Sequence, residues 1–127
     1  MGECIGSSAT GEPVEVPPGD FASRAFVWGV LRAGDCEQSN GRIEFRTDDS
    51  GTWSCTTRTF STSTGDIWHA RFTVRNAGGL TLFETPTFDS PEMDDGNPPP
   101  LYHWSREFIY DSSIFNEIAG VVQHYSC

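Results

Sequence analysis

The stretch IEFRTDDSGTWSCTT, residues 43–57, decides the fold class of this chain. Ile43 and Phe45 alternate with polar residues, the turn sequence DDSG follows at residues 48–51, and the alternation resumes from Trp53. A period of two is typical of a strand that buries one face. Asp and Gly adopt the backbone conformations that a tight turn needs. The stretch therefore predicts a β-hairpin.

The same alternation recurs along the rest of the chain, interrupted by turn residues. Residues 68–74 and 102–110 place rings on one face and polar side chains on the other, and residues 121–127 end the chain as a further strand. Asp111, followed by two Ser, is a typical N-cap and predicts one short helical turn ending near Gly120. Six to eight short strands then predict an all-β fold: a single small antiparallel meander, closed as a calycin-like barrel or stacked as a sandwich.

Two segments lack this pattern. Residues 1–19 are rich in Gly, Ser, Glu and Pro without periodicity, so we expect an extended N-terminal arm. Residues 86–100 combine five Pro with four acidic residues and predict a flexible surface loop. The remaining chain, residues 20–127, is short enough to form a single β domain.

The charge and composition exclude several classes of function. A net charge of −10 with only eight Lys and Arg argues against binding to nucleic acid, because phosphate recognition needs clustered cations. It argues against an anionic membrane surface for the same reason. The acidic loop offers oxygen ligands, but its spacing fits no EF-hand. We therefore expect no metal and no cofactor.

The four cysteines indicate the compartment. An even number of Cys in a small domain, with one at residue 127, is typical of two disulfides in a secreted or otherwise extracytoplasmic protein. The first residues have neither the basic start nor the apolar run of a signal peptide, so we expect the precursor to carry a signal that this sequence lacks. Four Cys allow three pairings, and their spacing does not choose among them.

Short motifs in the chain resemble a family of small secreted proteins, mostly actinobacterial, of unknown function. The matching sequences are Phe-Val-Trp at residues 26–28, Gly-Asp-Cys at 34–36, Gly-Thr at 51–52, Asp-Ile-Trp at 66–68, and a tail that ends in Cys127. The resemblance implies an exported, disulfide-bonded β domain without an assigned catalytic residue. It also implies that Cys36 pairs with Cys127, which leaves Cys4 for Cys55.

Polar residues on two predicted strands suggest acid–base chemistry. His69 and Arg71 share one strand face, and His103 and Glu107 share another. If the two strands are neighbours, these four side chains would form a catalytic patch of the kind an isomerase or cyclase uses. The same alternation is also typical of a solvent-facing surface.

Aromatic residues suggest a binding function instead. Rings dominate the core available to this chain, and any ring left exposed would stack on a sugar, a proline or a flat small molecule. The candidates are Trp28, Trp68, Tyr102 and Trp104. The leading hypothesis is therefore a domain that binds a small-molecule, glycan or peptide ligand through an aromatic-lined surface or cavity, and the alternative is the small acid–base enzyme.

Overall fold

Two antiparallel sheets and one short helix make up the fold. The computed structural model describes residues 6–17, 19–61 and 65–127. The five-stranded sheet contains β1 (Ser7–Thr10), β7 (His69–Arg75), β8 (Thr81–Glu84), β9 (Phe88–Asp89) and β11 (Gly120–Ser126). The six-stranded sheet contains β2 (Glu12–Val14), β3 (Ser23–Trp28), β4 (Leu31–Ala33), β5 (Cys36–Arg46), β6 (Ser50–Thr59) and β10 (Tyr102–Ile109). Over the described ranges, no helix has the length and apolar character needed to cross a membrane.

The sheets stack as a sandwich, which confirms the all-β prediction and selects one of its two architectures. The five-stranded sheet has the order β1-β11-β7-β8, with β9 also paired to β7. The six-stranded sheet has the order β10-β6-β5-β3-β2, with β4 also paired to β5. The order departs from a simple meander because β10 returns to β6 and β11 returns to β7.

The predicted hairpin is formed by β5 and β6. Ile43 pairs with Trp53, and Phe45 pairs with Gly51. In the turn, the Asp48 carboxylate accepts a hydrogen bond from the Ser50 amide at 3.1 Å. Asp49 adopts a φ of 70°, a left-handed conformation that Asp tolerates better than most residues.

The space between the sheets is filled mainly by rings. Trp53 of the six-stranded sheet contacts Phe72 of the five-stranded sheet with ring centroids 4.6 Å apart. Trp28 packs edge-on against Trp53 at 5.8 Å and also contacts Phe72. Burying each such side chain contributes about 1.5–3 kcal/mol, so these contacts hold the two sheets together.

The N-terminal segment is part of both sheets rather than a free arm. β1 pairs with β11, and β2 pairs with β3. Between β1 and β2 the chain passes from one sheet to the other at Gly11. A Cβ at this position would lie 2.8 Å from the ring of Trp28, so only Gly fits there without a shift. The Trp28 indole donates a hydrogen bond to the carbonyl of Ala9 at 2.8 Å. The sequence predicted an extended arm over residues 1–19; β1 and β2 within it are paired strands, and residues 1–5 and 18 lie outside the described part.

The segment 86–100 is structural over its first half. Phe88 lies in β9, which pairs with the start of β7, and Met93 is fully buried and forms a β-bridge with Asp66. The Ser90 hydroxyl accepts a hydrogen bond from the Trp68 amide at 2.8 Å. Two apolar residues therefore anchor the first half of the segment predicted as a flexible loop, despite its prolines.

The helical turn forms as predicted. A 3₁₀ helix covers Ser112–Glu117, and the carboxylate of its N-cap, Asp111, accepts a hydrogen bond from the Ser113 amide. The helix ends at Ile118 rather than at Gly120, which begins β11. The side chain of Ile118, directly after the helix, is buried in the core.

Candidate functional site

The four predicted acid–base residues lie in two different sheets. His69 and Arg71 belong to β7 of the five-stranded sheet, whereas His103 and Glu107 belong to β10 of the six-stranded sheet. Each pair alternates with buried residues, so each pair lies on the outer face of its own sheet. The two outer faces point away from each other, and the predicted catalytic patch does not form.

Each of these four side chains has a local partner on its own sheet. The His69 ring lies 2.7 Å from the Asp89 carboxylate, which makes a cross-strand pair between β7 and β9. Pairs of this kind stabilise a sheet by a few tenths of a kcal/mol to about 1 kcal/mol. The other three pairs are Arg71 with Glu84, His103 with Thr56, and Glu107 with Thr52.

Three of the four predicted ligand-binding rings belong to the core. Trp28, Trp68 and Trp104 are 6%, 0% and 7% exposed. The Trp104 indole donates a hydrogen bond to the Thr57 hydroxyl at 3.0 Å, which satisfies its polar atom inside the protein. Tyr102 is half-buried, and its hydroxyl accepts a hydrogen bond from the Asp94 amide at 3.0 Å. The burial of the three Trp places them between the sheets rather than on an exposed surface.

The disulfide between Cys36 and Cys127 forms as the resemblance implied. The two residues are separated by 91 positions, and the bond joins the start of β5 to the residue after β11. It therefore links the two sheets at one end of the sandwich. Closing a loop of this length contributes about 4–5 kcal/mol to stability in the chain-entropy description.

The second disulfide predicted from the sequence, between Cys4 and Cys55, involves a residue outside the described part of the chain, and only Cys55 is described. Within the described residues it is a free thiol, only 5% exposed. It lies on the inner face of β6 and pairs in register with the buried Trp104. Burial raises the pKa of this thiol well above its ordinary value. Cys4 lies outside the described residues, so the prediction of a second disulfide stays a prediction.

A groove of about 230 Å³ opens beside β2, in a region that sequence analysis assigned to the arm. Its floor includes the buried Phe26, and Val14 is exposed along one wall. Arg24 lies at its side, where the guanidinium donates a hydrogen bond to the Ile118 carbonyl at 3.2 Å. The groove is lined by Pro13, Val14, Glu15, Val16, Ser23, Arg24, Ala25, Phe26, Ile118 and Ala119.

The groove is lined by both apolar and polar groups, the polar ones being Glu15, Ser23 and Arg24. The guanidinium of Arg24 also lies over the Phe115 ring, 5.1 Å from its centroid, and this contact limits its motion. Arg24 forms no ion pair with a carboxylate of the described residues. The only sequence signal was the pair Val14 and Val16 on either side of Glu15, which the flanking Pro13 and Pro17 make hard to recognise as a strand.

A second feature that the sequence did not indicate is a set of buried polar atoms between the sheets. The amide groups of Gln38 and Gln123 are fully buried and have no hydrogen-bond partner in the described part of the chain. The Gln38 amide and the Trp53 ring both lie over Gly41, and Gln123 pairs in register with Phe72, which packs on Trp53. An unpartnered buried amide costs about 1–3 kcal/mol, so Gln38 and Gln123 are among the least favourable residues of this core.

His124 is the histidine whose protonation the fold affects most clearly. Burial lowers the pKa of its imidazole, and the nearby charge of Arg71 lowers it further. The ring lies 2.8 Å from the Thr73 hydroxyl on the neighbouring strand. The folded protein therefore favours the neutral ring.

Comparison with known proteins identifies a family but no function. The profile of DUF6294, described as a family of unknown function, matches residues 42–127, about two thirds of the chain. The match runs from the middle of β5 to the end of β11 and includes the hairpin. No curated protein and no solved structure matches the chain significantly. Strands β2 and β3, which form most of the groove, precede the matched region.

Proposed function

This chain belongs to DUF6294, a family of unknown function, and we propose that it is a secreted, disulfide-stabilised binding domain that takes an extended peptide in the groove beside β2. The disulfide between the sheets supports an extracytoplasmic location, because such bonds persist in oxidising compartments and are rare in reducing ones.

The groove carries the proposal. Binding sites for small or extended ligands combine apolar walls with a few polar groups that orient the ligand. Here Pro13, Val14 and Ala119 offer apolar surface, while Glu15 and Arg24 offer an acceptor and a donor. An apolar side chain would enter the groove, and the peptide backbone would donate to Glu15 and accept from Arg24.

The size of the groove favours one side chain of a longer ligand. A volume of about 230 Å³ is smaller than the roughly 300–1,000 Å³ of typical drug-sized pockets. The groove lies along β2, the last strand in the order of the six-stranded sheet. An extended peptide that lies along this edge would place alternate side chains on the groove, which is the usual geometry of strand-like peptide recognition.

A titration monitored by amide NMR tests the proposal. Short capped peptides with one Leu or Phe should shift the amide signals of Ala25 and Ile118, while capped oligosaccharides should not. Val14→Lys should weaken peptide binding at least tenfold, because it places a charge on the apolar wall. Arg24→Gln should weaken binding by a smaller factor, since it keeps a donor but removes the charge.

The matched control is Leu80→Lys. Leu80 is 69% exposed and precedes β8, in the other sheet, so its replacement should leave peptide binding unchanged. Peptide-induced shifts that avoid the groove, or equal losses in the Val14 and Leu80 variants, would contradict the proposal. Shifts caused by oligosaccharides alone would assign the groove to a glycan instead.

A further inference from the structure

The strand β10 forms an open edge of the six-stranded sheet. It pairs with β6 from Tyr102 to Ile109, and with no other strand in the described part of the chain. With 8 residues it is long for an exposed edge, because proteins usually keep such edges short or cover them. Its free side therefore offers a row of backbone groups with which a further strand can pair.

Hydrogen bonding to β6 fixes which residues of β10 face this edge. The Tyr110 amide donates to the Asp49 carbonyl at 3.0 Å, one position beyond the last register pair of the two strands. Alternate residues of an antiparallel strand bond to one neighbour, so the even-numbered residues bond to β6 and the odd-numbered ones face the edge. Accordingly, the Ser105 carbonyl accepts a hydrogen bond from the Arg106 guanidinium at 2.8 Å. A carbonyl has two lone pairs, so Ser105 can also accept from a partner strand.

The outer face of this strand carries a symmetrical series of side chains. Trp104 and Phe108 are buried on the inner face, so the residues between and beside them point to solvent. The outer series is Leu101, directly before the strand, then His103, Ser105, Glu107 and Ile109, and all five are exposed. An apolar residue thus stands at each end, with one basic and one acidic residue on either side of a central Ser.

This series is complementary to its own reverse. In an antiparallel pair of β10 strands with Ser105 opposite Ser105, Ile109 of each copy lies opposite Leu101 of the other, and His103 lies opposite Glu107. The apolar pair would cover two of the most exposed apolar side chains of the domain, 87% and 55% exposed. The His103 Nδ1 atom lies 2.7 Å from the Thr56 hydroxyl, so Nε2 is left for the carboxylate of the second copy. Moving the register one step either way instead places Ile109 opposite His103, or Leu101 opposite Glu107.

We propose that the chain forms a symmetric dimer in which two β10 strands pair antiparallel about Ser105 and join the two six-stranded sheets into one. Each copy contributes the same surface, as in other two-fold interfaces. Cross-strand pairs of opposite charge or of apolar side chains each contribute about 0.2–1 kcal/mol, and both kinds occur twice in this interface. The groove lies beside β2, at the other end of the sheet order, so the dimer neither needs it nor covers it.

Sedimentation of the full chain over a range of concentrations tests the dimer. The measurement is made at about 0.15 M salt, because each chain carries a net charge of −10 and this salt screens repulsion beyond about 8 Å. We expect the mass to rise with concentration from one chain to two. Ile109→Lys should weaken the association at least tenfold, because it removes the apolar pair at both ends. The matched control is Leu80→Lys, which replaces an exposed residue of the other sheet and should leave the association unchanged. Circular dichroism of both variants should match that of the original chain.

Oxidative cross-linking tests the register. Residues that exchange hydrogen bonds across an antiparallel pair have Cα atoms about 5.5 Å apart, which suits a disulfide. Ser105→Cys should therefore cross-link two chains. Ile109→Cys alone should not, since its two copies would lie about 27 Å apart, but it should cross-link when mixed with Leu101→Cys. The original chain, treated in the same way, controls for cross-links through its own cysteines.

Three results would overturn the proposal. The first is a chain that remains a monomer at every concentration, with Ser105→Cys forming no more cross-links than the original chain. The second is a dimer that Ile109→Lys and Leu80→Lys weaken equally, or in which Ile109→Cys alone cross-links as well as Ser105→Cys, because either places the interface or the register elsewhere. The third is a monomer whose β10 amide signals shift when a capped peptide is added, which would assign this edge to a foreign strand.

Discussion

Replacing Gly51 by Ala should destabilise the domain by about 1–3 kcal/mol. Gly51 is buried in β6, between Phe45 of β5 and Phe108 of β10 in the strand register. A Cβ at this position would lie 2.2 Å from Cζ of Phe108 and 2.4 Å from Cε2. Carbon atoms in contact are normally about 3.5–4.0 Å apart, so the ring would have to move by more than about 1 Å.

The surroundings of Phe108 determine the size of this effect. Its ring packs against Phe45 with centroids 5.7 Å apart and against Phe88 at 5.8 Å, so it cannot move without disturbing both. Overpacking a filled core costs about 1–3 kcal/mol. Expelling a ring from the core instead forfeits part of the 1.5–3 kcal/mol that its burial contributes, roughly the same range.

Urea unfolding followed by tryptophan fluorescence measures the effect. Gly120→Ala is the matched control, because no atom lies within 4 Å of the added methyl group. Combining Gly51→Ala with Phe108→Ala should remove most of the penalty, since the truncated side chain leaves room. A loss below about 0.5 kcal/mol for Gly51→Ala, or a full penalty that persists in the Phe108→Ala background, would refute the steric argument.

Four further predictions follow from the fold. Replacing both Cys36 and Cys127 by Ser should lower the free energy of unfolding by about 4–5 kcal/mol, measured by urea unfolding, and a loss below about 1 kcal/mol would contradict the cross-link argument. Cys55 should resist alkylation by iodoacetamide in the folded protein because it is buried and its pKa is raised; prompt labelling seen by mass spectrometry would show that the core opens. Removing residues 1–11 should lower the free energy of unfolding by about 2–4 kcal/mol, because β1 no longer pairs with β11 and Trp28 is no longer covered. An unchanged melting curve would show that this segment does not stabilise the domain. The lowered pKa of His124 means that the unfolded chain protonates first, so stability should be fully present above about pH 6.5 and fall as the pH drops below that value; His124→Gln should make this dependence shallower, and an identical pH profile would exclude the imidazole as its source.

Features that depend on local sequence could be predicted well. The hairpin around Asp48 and Asp49 follows from alternation on both sides of a turn sequence, and the N-cap at Asp111 follows from one side chain and the amide two residues later. Pairing of Cys36 with Cys127 came from the resemblance to a family, because no local rule relates residues 91 positions apart.

Edge strands and the anchored half of segment 86–100 could not be predicted in the same way. β1 is recognisable only through its partner β11, which lies at the other end of the chain. Gly11 and Pro13 disfavour a strand by composition, yet Pro is tolerated at the edge of a sheet. Met93 looks like an isolated residue in a polar segment until its bridge to Asp66 places it in the core.

The candidate sites also differ in how much of each could be predicted from local sequence. Alternation alone determined that His69 and Arg71 share one face and that His103 and Glu107 share another, because side chains in a strand point to opposite faces in turn. Only the tertiary structure decided that the two pairs lie in different sheets and face away from each other. The groove beside β2 was likewise decided by tertiary structure, since it joins segments whose proximity depends on sheet order and not on any pattern within a single strand.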